Sequence, residues 1–227
     1  MKIFYLFIIL TSSLTALAQD HSLRADDFEK AILADSIQLL DVRTAGEYKS
    51  GRIRNSLHAD WNQPGQFRER VQYIDKHRPV YVYCLVGGRS AAAAQWMRSQ
   101  GFTKVVELEG GINAWKRSGK PLEGQSNEKQ MSLEEYQASL PKNGMVLVDF
   151  GASWCPPCVK MEPVLEEIRK DPSLSFQFVR IDAGVHTNLM KSLGIEPIPQ
   201  FIIYKNGKET WRKQGIVTRE EFVSQLK

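Results

Sequence analysis

The stretch Trp154-Cys155-Pro156-Pro157-Cys158 constrains this chain more than any other. It follows the apolar run Met145 to Phe150, which predicts a buried strand, and precedes Val159 to Lys170, whose apolar spacing predicts an amphipathic helix. Two cysteines separated by two residues at a helix start form a redox device. Free backbone N–H groups and the positive end of the helix dipole stabilise the Cys155 thiolate, while Cys158, one turn on, is placed to resolve a mixed disulfide. Cys155 is then the attacking thiol, and Cys158, further inside, is expected to be the less exposed. The competing explanations are a structural disulfide and half of a zinc site. Zinc needs more ligands than this pair supplies, and His21, His58, His77 and His186 are scattered without metal spacing. Neither a metal nor a cofactor is expected.

From about Glu128 to Lys227 the chain resembles thioredoxin. The resemblance is carried by Val148-Asp149-Phe150 before the dithiol, Pro163 inside the following helix, Ile198-Pro199 after a later helix, and Gly215 near the end. It implies that Asp149 is buried behind the dithiol and assists proton transfer, and that Pro199 is cis and faces the active site together with Trp154 and Ile198. Four positions depart from the family pattern. Gly151 replaces an aromatic, Pro156 replaces a Gly, Phe178 stands where a buried Lys often accompanies the Asp, and Gln200 follows the proline in place of Thr. These departures leave the redox direction open among reductant, oxidant and isomerase.

A chain of 227 residues accommodates two domains of about a hundred each. With 42% hydrophobic and 25% charged residues, it fits neither a disordered chain nor a membrane bundle. Its first eighteen residues differ from the rest: Lys2, an apolar run from Ile3 to Leu10, a Thr-Ser-Ser segment and Ala16-Leu17-Ala18. This is the pattern of a secretory signal, with cleavage expected after Ala18 and a periplasmic or secreted product. The apolar run is too short for a membrane anchor, which takes about twenty residues. Removing the leader leaves 29 basic against 26 acidic residues, a net charge near +3, too weak to suggest nucleic acid. Outside the cytosol an unpaired thiol needs a reason. The dithiol uses two of the three cysteines, so Cys84 is expected to be a reactive thiol.

The first half predicts a short helix through Ile32-Leu33, a buried strand at Ile37 to Val42, and a capping box at Thr44 to Glu47 opening a helix through Tyr48. Gly51 ends that helix. Ile53 to Ala59 is expected to hold a strand, and Gln66 to Ile74 a helix with Phe67, Val71 and Ile74 on one face. Pro79 to Tyr83 predicts a strand ending at Cys84. The loop Leu85-Val86-Gly87-Gly88-Arg89-Ser90 then leads into an alanine-rich helix from Ala91 to Gln100. A cysteine between a strand end and a helix start lies where open α/β sheets bind ligands, and such a loop can aim several N–H groups at one anion. The two glycines permit the positive φ angles that this cradle often needs. A buried, inert cysteine is the plainer explanation, which the assembly of strand, glycines, Arg and helix outweighs.

Leu23 to Glu123 resembles the rhodanese family. The motifs are Leu40-Asp41-Val42-Arg43 with Glu47-Tyr48, the Cys84 to Ser90 loop, Gly110-Gly111-Ile112-Asn113-Ala114-Trp115, and Gly119-Lys120-Pro121-Leu122. The resemblance implies that Cys84 takes a sulfane sulfur as a persulfide and passes it on. Arg89 assists by charge or by bracing. Leu85, Val86, Gly87, Gly88 and Ser90 form the binding loop, with Asp41 and Arg43 beside it. Arg52 to Asn55 replaces the usual His-Ile-Pro-Gly and alters a nearby surface.

The polar stretch up to Gln130 predicts a linker, and Ser132 to Glu135 is a second capping box. The expected organisation is a leader at 1–18, a rhodanese-like domain at 22–123, a linker at 124–130 and a thioredoxin-like domain at 131–227. The implied fold class is α/β. A central parallel sheet flanked by helices is followed by a mixed sheet flanked by helices. In the second domain the residues predict a helix to about Leu140, a strand at Ser175 to Ile181 and a helix at Val185 to Leu193. A hairpin across Asn206-Gly207 and a last helix capped by Thr218 complete it. Trp61, Trp96, Trp115 and Trp211 are expected to be packing residues.

The leading expectation is an exported sulfurtransferase and thiol-disulfide oxidoreductase. Its partners would be a sulfane-sulfur donor (thiosulfate, a persulfide or a polysulfide), protein disulfides or persulfides, and an external reductant such as a membrane thiol-disulfide exchanger. One alternative is a disulfide reductase whose N-terminal domain only binds a thiol or persulfide partner. Another is a rhodanese-fold phosphatase, disfavoured because four residues separate Cys84 from Arg89, one fewer than in the phosphatase relatives.

Overall fold

The computed structural model describes residues 22–34, 36–124 and 129–227. The expected leader and most of the expected linker lie outside the described residues. In the first half, the order is β1 (Ser22–Leu23), α1 (Ala25–Ile32), β2 (Gln38–Asp41), α2 (Ala45–Lys49), β3 (Leu57–His58), α3 (Pro64–Val71), β4 (Val80–Tyr83), α4 (Gly88–Ser99), β5 (Val105–Leu108) and α5 (Gly111–Arg117). The five strands form one all-parallel sheet in the order β1-β5-β4-β2-β3. Successive strand residues face opposite ways, and both faces are covered. Leu40, Val80 and Val82 pack with Phe67, Ala94 and Met97 on one face. Leu39, Tyr81 and Tyr83 pack with Phe28, Ile112 and Trp115 on the other.

The second half runs α6 (Leu133–Ser139), β6 (Met145–Gly151), α7 (Pro156–Lys170), β7 (Gln177–Asp182), α8 (Thr187–Ser192), β8 (Gln200–Lys205), β9 (Lys208–Gln214) and α9 (Arg219–Gln225). Its mixed sheet is ordered β7-β6-β8-β9, with β6 parallel to β7 and antiparallel to β8. Val146, Val148 and Phe150 face Tyr136 and the dithiol. Leu147 faces Met161, Phe201 and Phe222. The expected hairpin turns at Asn206 and Gly207, both at positive φ. Thr44 and Ser132 close complete capping boxes, and Thr218 caps α9 by accepting from the Glu221 N–H.

Two expectations need correction, and two strands are additional. Only Leu57–His58 of the stretch from Ile53 to Ala59 is a strand, because Asn55 at φ 60° turns the chain and Ser56 N–H bonds back to Ile53 O. Helix α3 starts earlier, with Pro64 in its first turn, and stops at Val71; Ile74 reaches the same core through the turn that follows. The short strands β1 and β5 were not foreseen.

Candidate active sites

Cys84 follows β4, the central strand of the parallel sheet, and is 1% exposed. The loop then returns the chain into α4. Gly87 takes φ +111°, but Gly88 already has helical geometry, so one of the two glycines supplies the unusual backbone. The Gly87 N–H donates to Cys84 Sγ at 3.1 Å, and the Ser90 hydroxyl donates to it at 3.4 Å. Burial pushes the thiol up. Hydrogen bonds from the Ser90 hydroxyl and from the N–H groups of Ser90, Gly87 and Val86 outweigh it, leaving Cys84 below its ordinary value. Val86 is 63% exposed at the loop mouth, and Leu85 packs against the core.

Arg89 grips Glu47 through both terminal nitrogens, at 2.7 and 2.8 Å. That bidentate pair holds the Glu47 carboxyl down at about 2, with the Thr44 bonds of the capping box assisting against partial burial. Of the two roles expected of Arg89, the geometry supports bracing: it ties the loop to α2. From behind, α5 donates Ile112 N–H to Cys84 O at 2.8 Å and Asn113 N–H to Leu85 O at 3.1 Å. Gly111 makes this approach possible. At φ +59°, a Cβ there would lie 2.5 Å from Cys84 O. Asp41 and Arg43 are buried against each other (2.6 Å), and Arg43 also reaches Gly51 O. They stiffen the end of β2 and are not open to a ligand.

The second centre is built at the start of α7. Cys155 is the N-cap residue, the Cys158 N–H points at its Sγ (3.4 Å), and the two cysteines are joined as a disulfide. Ile198 O lies 3.6 Å from Cys155 Sγ, and Ile198–Pro199 is cis as expected. Trp154, Cys155, Cys158, Ile198 and Pro199 therefore converge. The expected order of exposure is reversed: Cys155 is 0% and Cys158 6% exposed.

A family model described as Thioredoxin matches residues 127–227, and one described as Rhodanese-like domain matches residues 24–118. A sulfurtransferase of Allochromatium vinosum is 37% identical over 92 residues, covering 40% of this chain and 83% of that protein. A thioredoxin-like protein of Synechocystis is 32% identical over 95 residues, covering 42% of this chain and 89% of that protein. The chain belongs to both families: a rhodanese-like domain followed by a thioredoxin domain. It is also 35% identical over 99 residues to the chloroplastic thioredoxin Y of Oryza sativa, spanning 43% of this chain but only 59% of that protein's length.

In the thioredoxin domain Asp149 is 3% exposed, and burial pushes its carboxyl up to about 6 although a cation opposes the shift. That cation is Arg180, whose Nε donates to Asp149 Oδ2 at 2.9 Å. Phe178, the position at which a cation was missed in the sequence, instead packs in the core beside Arg169 and Arg180, on the same face of the sheet as Asp149.

The rhodanese-like domain packs on Trp154, the residue before Cys155. Its His58 N–H donates to Trp154 O at 2.7 Å. Tyr48 and His58 pack on the indole at 5.7 Å, and the Arg70 guanidinium lies 5.2 Å above it. His58 is held neutral, with burial taking it to about 4, and its ring joins Arg43 O to Arg70. A cavity of about 610 Å³ opens beside this contact, lined by Lys49, Arg70, Trp154, Met190 and Ile198 among others. Sequence reasoning missed Arg180, Tyr48, His58, Arg70 and the role of Gly111. Of these, Tyr48 and Gly111 carried a signal, as part of the Glu47-Tyr48 motif and of a glycine pair opening a helix.

Proposed function

We propose that the protein is an exported sulfurtransferase whose thioredoxin dithiol discharges the sulfur that Cys84 accepts. The Cys84 thiolate takes the outer sulfur of a sulfane donor and becomes a persulfide. The Cys155 thiolate attacks that outer sulfur, Cys84 leaves as a thiolate, and the persulfide passes to Cys155. The Cys158 thiolate then attacks Cys155 Sγ, the disulfide closes and hydrosulfide departs with the electron pair. The dithiol is oxidised by two electrons and the sulfane sulfur is reduced to sulfide. An external reductant, such as a membrane thiol-disulfide exchanger, reopens the disulfide. The donor is thiosulfate, a persulfide or a polysulfide, and protein disulfides or persulfides are further substrates of the dithiol.

One observation carries the coupling: α2 touches both centres through adjacent residues. Glu47 holds Arg89 of the Cys84 loop, and Tyr48 packs on Trp154 beside Cys155. Placing both thiols in one chain joined by a short linker gives the second step a high effective concentration. Export, with cleavage after Ala18, is supported by the pattern of the first eighteen residues: Lys2, the apolar run Ile3 to Leu10 and Ala16-Leu17-Ala18. The test is sulfur transfer from a sulfane donor with Cys84, Cys155 and Cys158 each changed to Ser. Cys84→Ser is expected to lose the sulfur adduct, and Cys155→Ser to keep it but release no sulfide. An undiminished adduct in Cys84→Ser would refute the proposal.

A further inference from the structure

On the parallel strands β6 and β7, Asp149 and Arg180 are register partners. The carboxylate and guanidinium meet at 2.9 Å, and the other end of the guanidinium reaches Glu162 of α7 at 3.0 Å. Glu162 follows Cys158 by four residues, one helical turn, so the two share a face of α7. Arg180 thus connects the buried carboxylate to the helix face that carries Cys158. Gly151, two residues beyond Asp149 on the same face of β6, leaves the carboxylate room, since a Cβ there would lie 3.1 Å from Asp149 Oδ1. The antiparallel neighbour of Asp149 is Phe201, which carries no charge. Among the described residues, Arg180 and Glu162 are accordingly the charged groups set around this carboxylate.

We infer that Arg180 is a positioning residue for the resolving step, orienting Asp149 and holding it ionised to take the Cys158 proton, with Glu162 tempering its charge. This rests on the reading of Cys155 and Cys158 as a working dithiol. In the step itself, Asp149 accepts the proton of the Cys158 thiol as the sulfur attacks Cys155 Sγ. The bond from Cys155 to the substrate sulfur breaks, and the substrate leaves as a thiolate. The Asp149 proton then passes to solvent. The cation that commonly accompanies such a carboxylate is here supplied from a position two residues further along the strand, and partly from the surface, with the Arg180 side chain 42% exposed.

Two substitutions with opposite expected signs test it. Arg180→Gln removes the cation, and Glu162→Gln removes the anion that competes for it. In the oxidised full chain, where the cysteines do not titrate, the Asp149 carboxyl is followed by carbon NMR against pH. Its midpoint is expected to rise by about one pH unit or more in Arg180→Gln, to fall in Glu162→Gln, and to be restored in Arg180→Lys. The pH profile for reduction of a small aromatic disulfide, measured with the reduced chain, is expected to move in the same directions. A midpoint unmoved by either substitution overturns the inference. A moved midpoint with an unmoved rate profile also overturns it, by separating Asp149 from the reaction. A wild type that reduces no disulfide at any pH removes the underlying dithiol reading, whatever the NMR shows.

Discussion

Replacing Asp149 by Asn should stabilise the oxidised protein at neutral and alkaline pH. The folded carboxyl titrates at about 6, against 3.8 for an ordinary aspartate, because burial outweighs the help from Arg180. The folded state therefore binds this proton more tightly than the unfolded chain, so its contribution to stability falls as pH rises from about 4 to about 6. At about 1.4 kcal/mol per pH unit, the ionised carboxylate costs about 3 kcal/mol above pH 7. Asn has nearly the same shape and no charge to desolvate, and Arg180 keeps Glu162 as a partner. Urea unfolding of wild type and Asp149→Asn, followed by circular dichroism from pH 4 to pH 8, should give similar stabilities at the acid end. By pH 8 the variant should lead by about 3 kcal/mol. A difference that does not change with pH, or a less stable variant at pH 8, would show that ionised Asp149 does not destabilise the fold.

Three further outcomes are expected. Cys158→Ser should still attack a disulfide or persulfide through Cys155 but fail to resolve, so mass spectrometry should find mixed adducts accumulating on Cys155 and none in Cys155→Ser. Arg89→Ala removes both bonds to Glu47 and should lower the rate of sulfur loading on Cys84 by about tenfold, the loss of a charge-assisted hydrogen bond, read from the mass of the loaded protein. Gly111→Ala forces a side chain into φ +59° and against Cys84 O, and should destabilise the rhodanese-like domain by about 3 kcal/mol, seen as an earlier thermal transition.

Local patterns made much of this protein legible. The strand and helix around the dithiol, the cysteine loop after β4, the capping boxes and the Asn206-Gly207 turn each depend on residues a few positions apart. Where the reading went astray, the cause was non-local. Strands β1 and β5 are two and four residues long and owe their strand character to pairing with each other and with β4. Ile53, Leu57 and Ala59 spell out an apolar pattern, but a turn at Asn55 and Ser56 delivers them to the core instead of a continuous strand. Arg180 meets Asp149 only through the register of two parallel strands. Residues from three separate elements of the other domain cover Trp154 next to Cys155, a convergence that no window of sequence displays. Phe178 shows the limit of reasoning by position: the absence of a cation there was read correctly, while its replacement two residues on needed the structure.

In the proposed cycle the sulfur on Cys84 is discharged by the dithiol of the same chain. The most direct measurement is single-turnover release of sulfide from fully reduced protein given a saturating excess of a sulfane donor, so that loading of Cys84 does not limit the rate, with no other reductant present. The coupled cycle predicts one sulfide released per Cys155–Cys158 disulfide closed, at a first-order rate that does not change when the protein is diluted. Cys84→Ser should release none. A rate that falls in proportion to protein concentration, or equal release from Cys84→Ser, would contradict it.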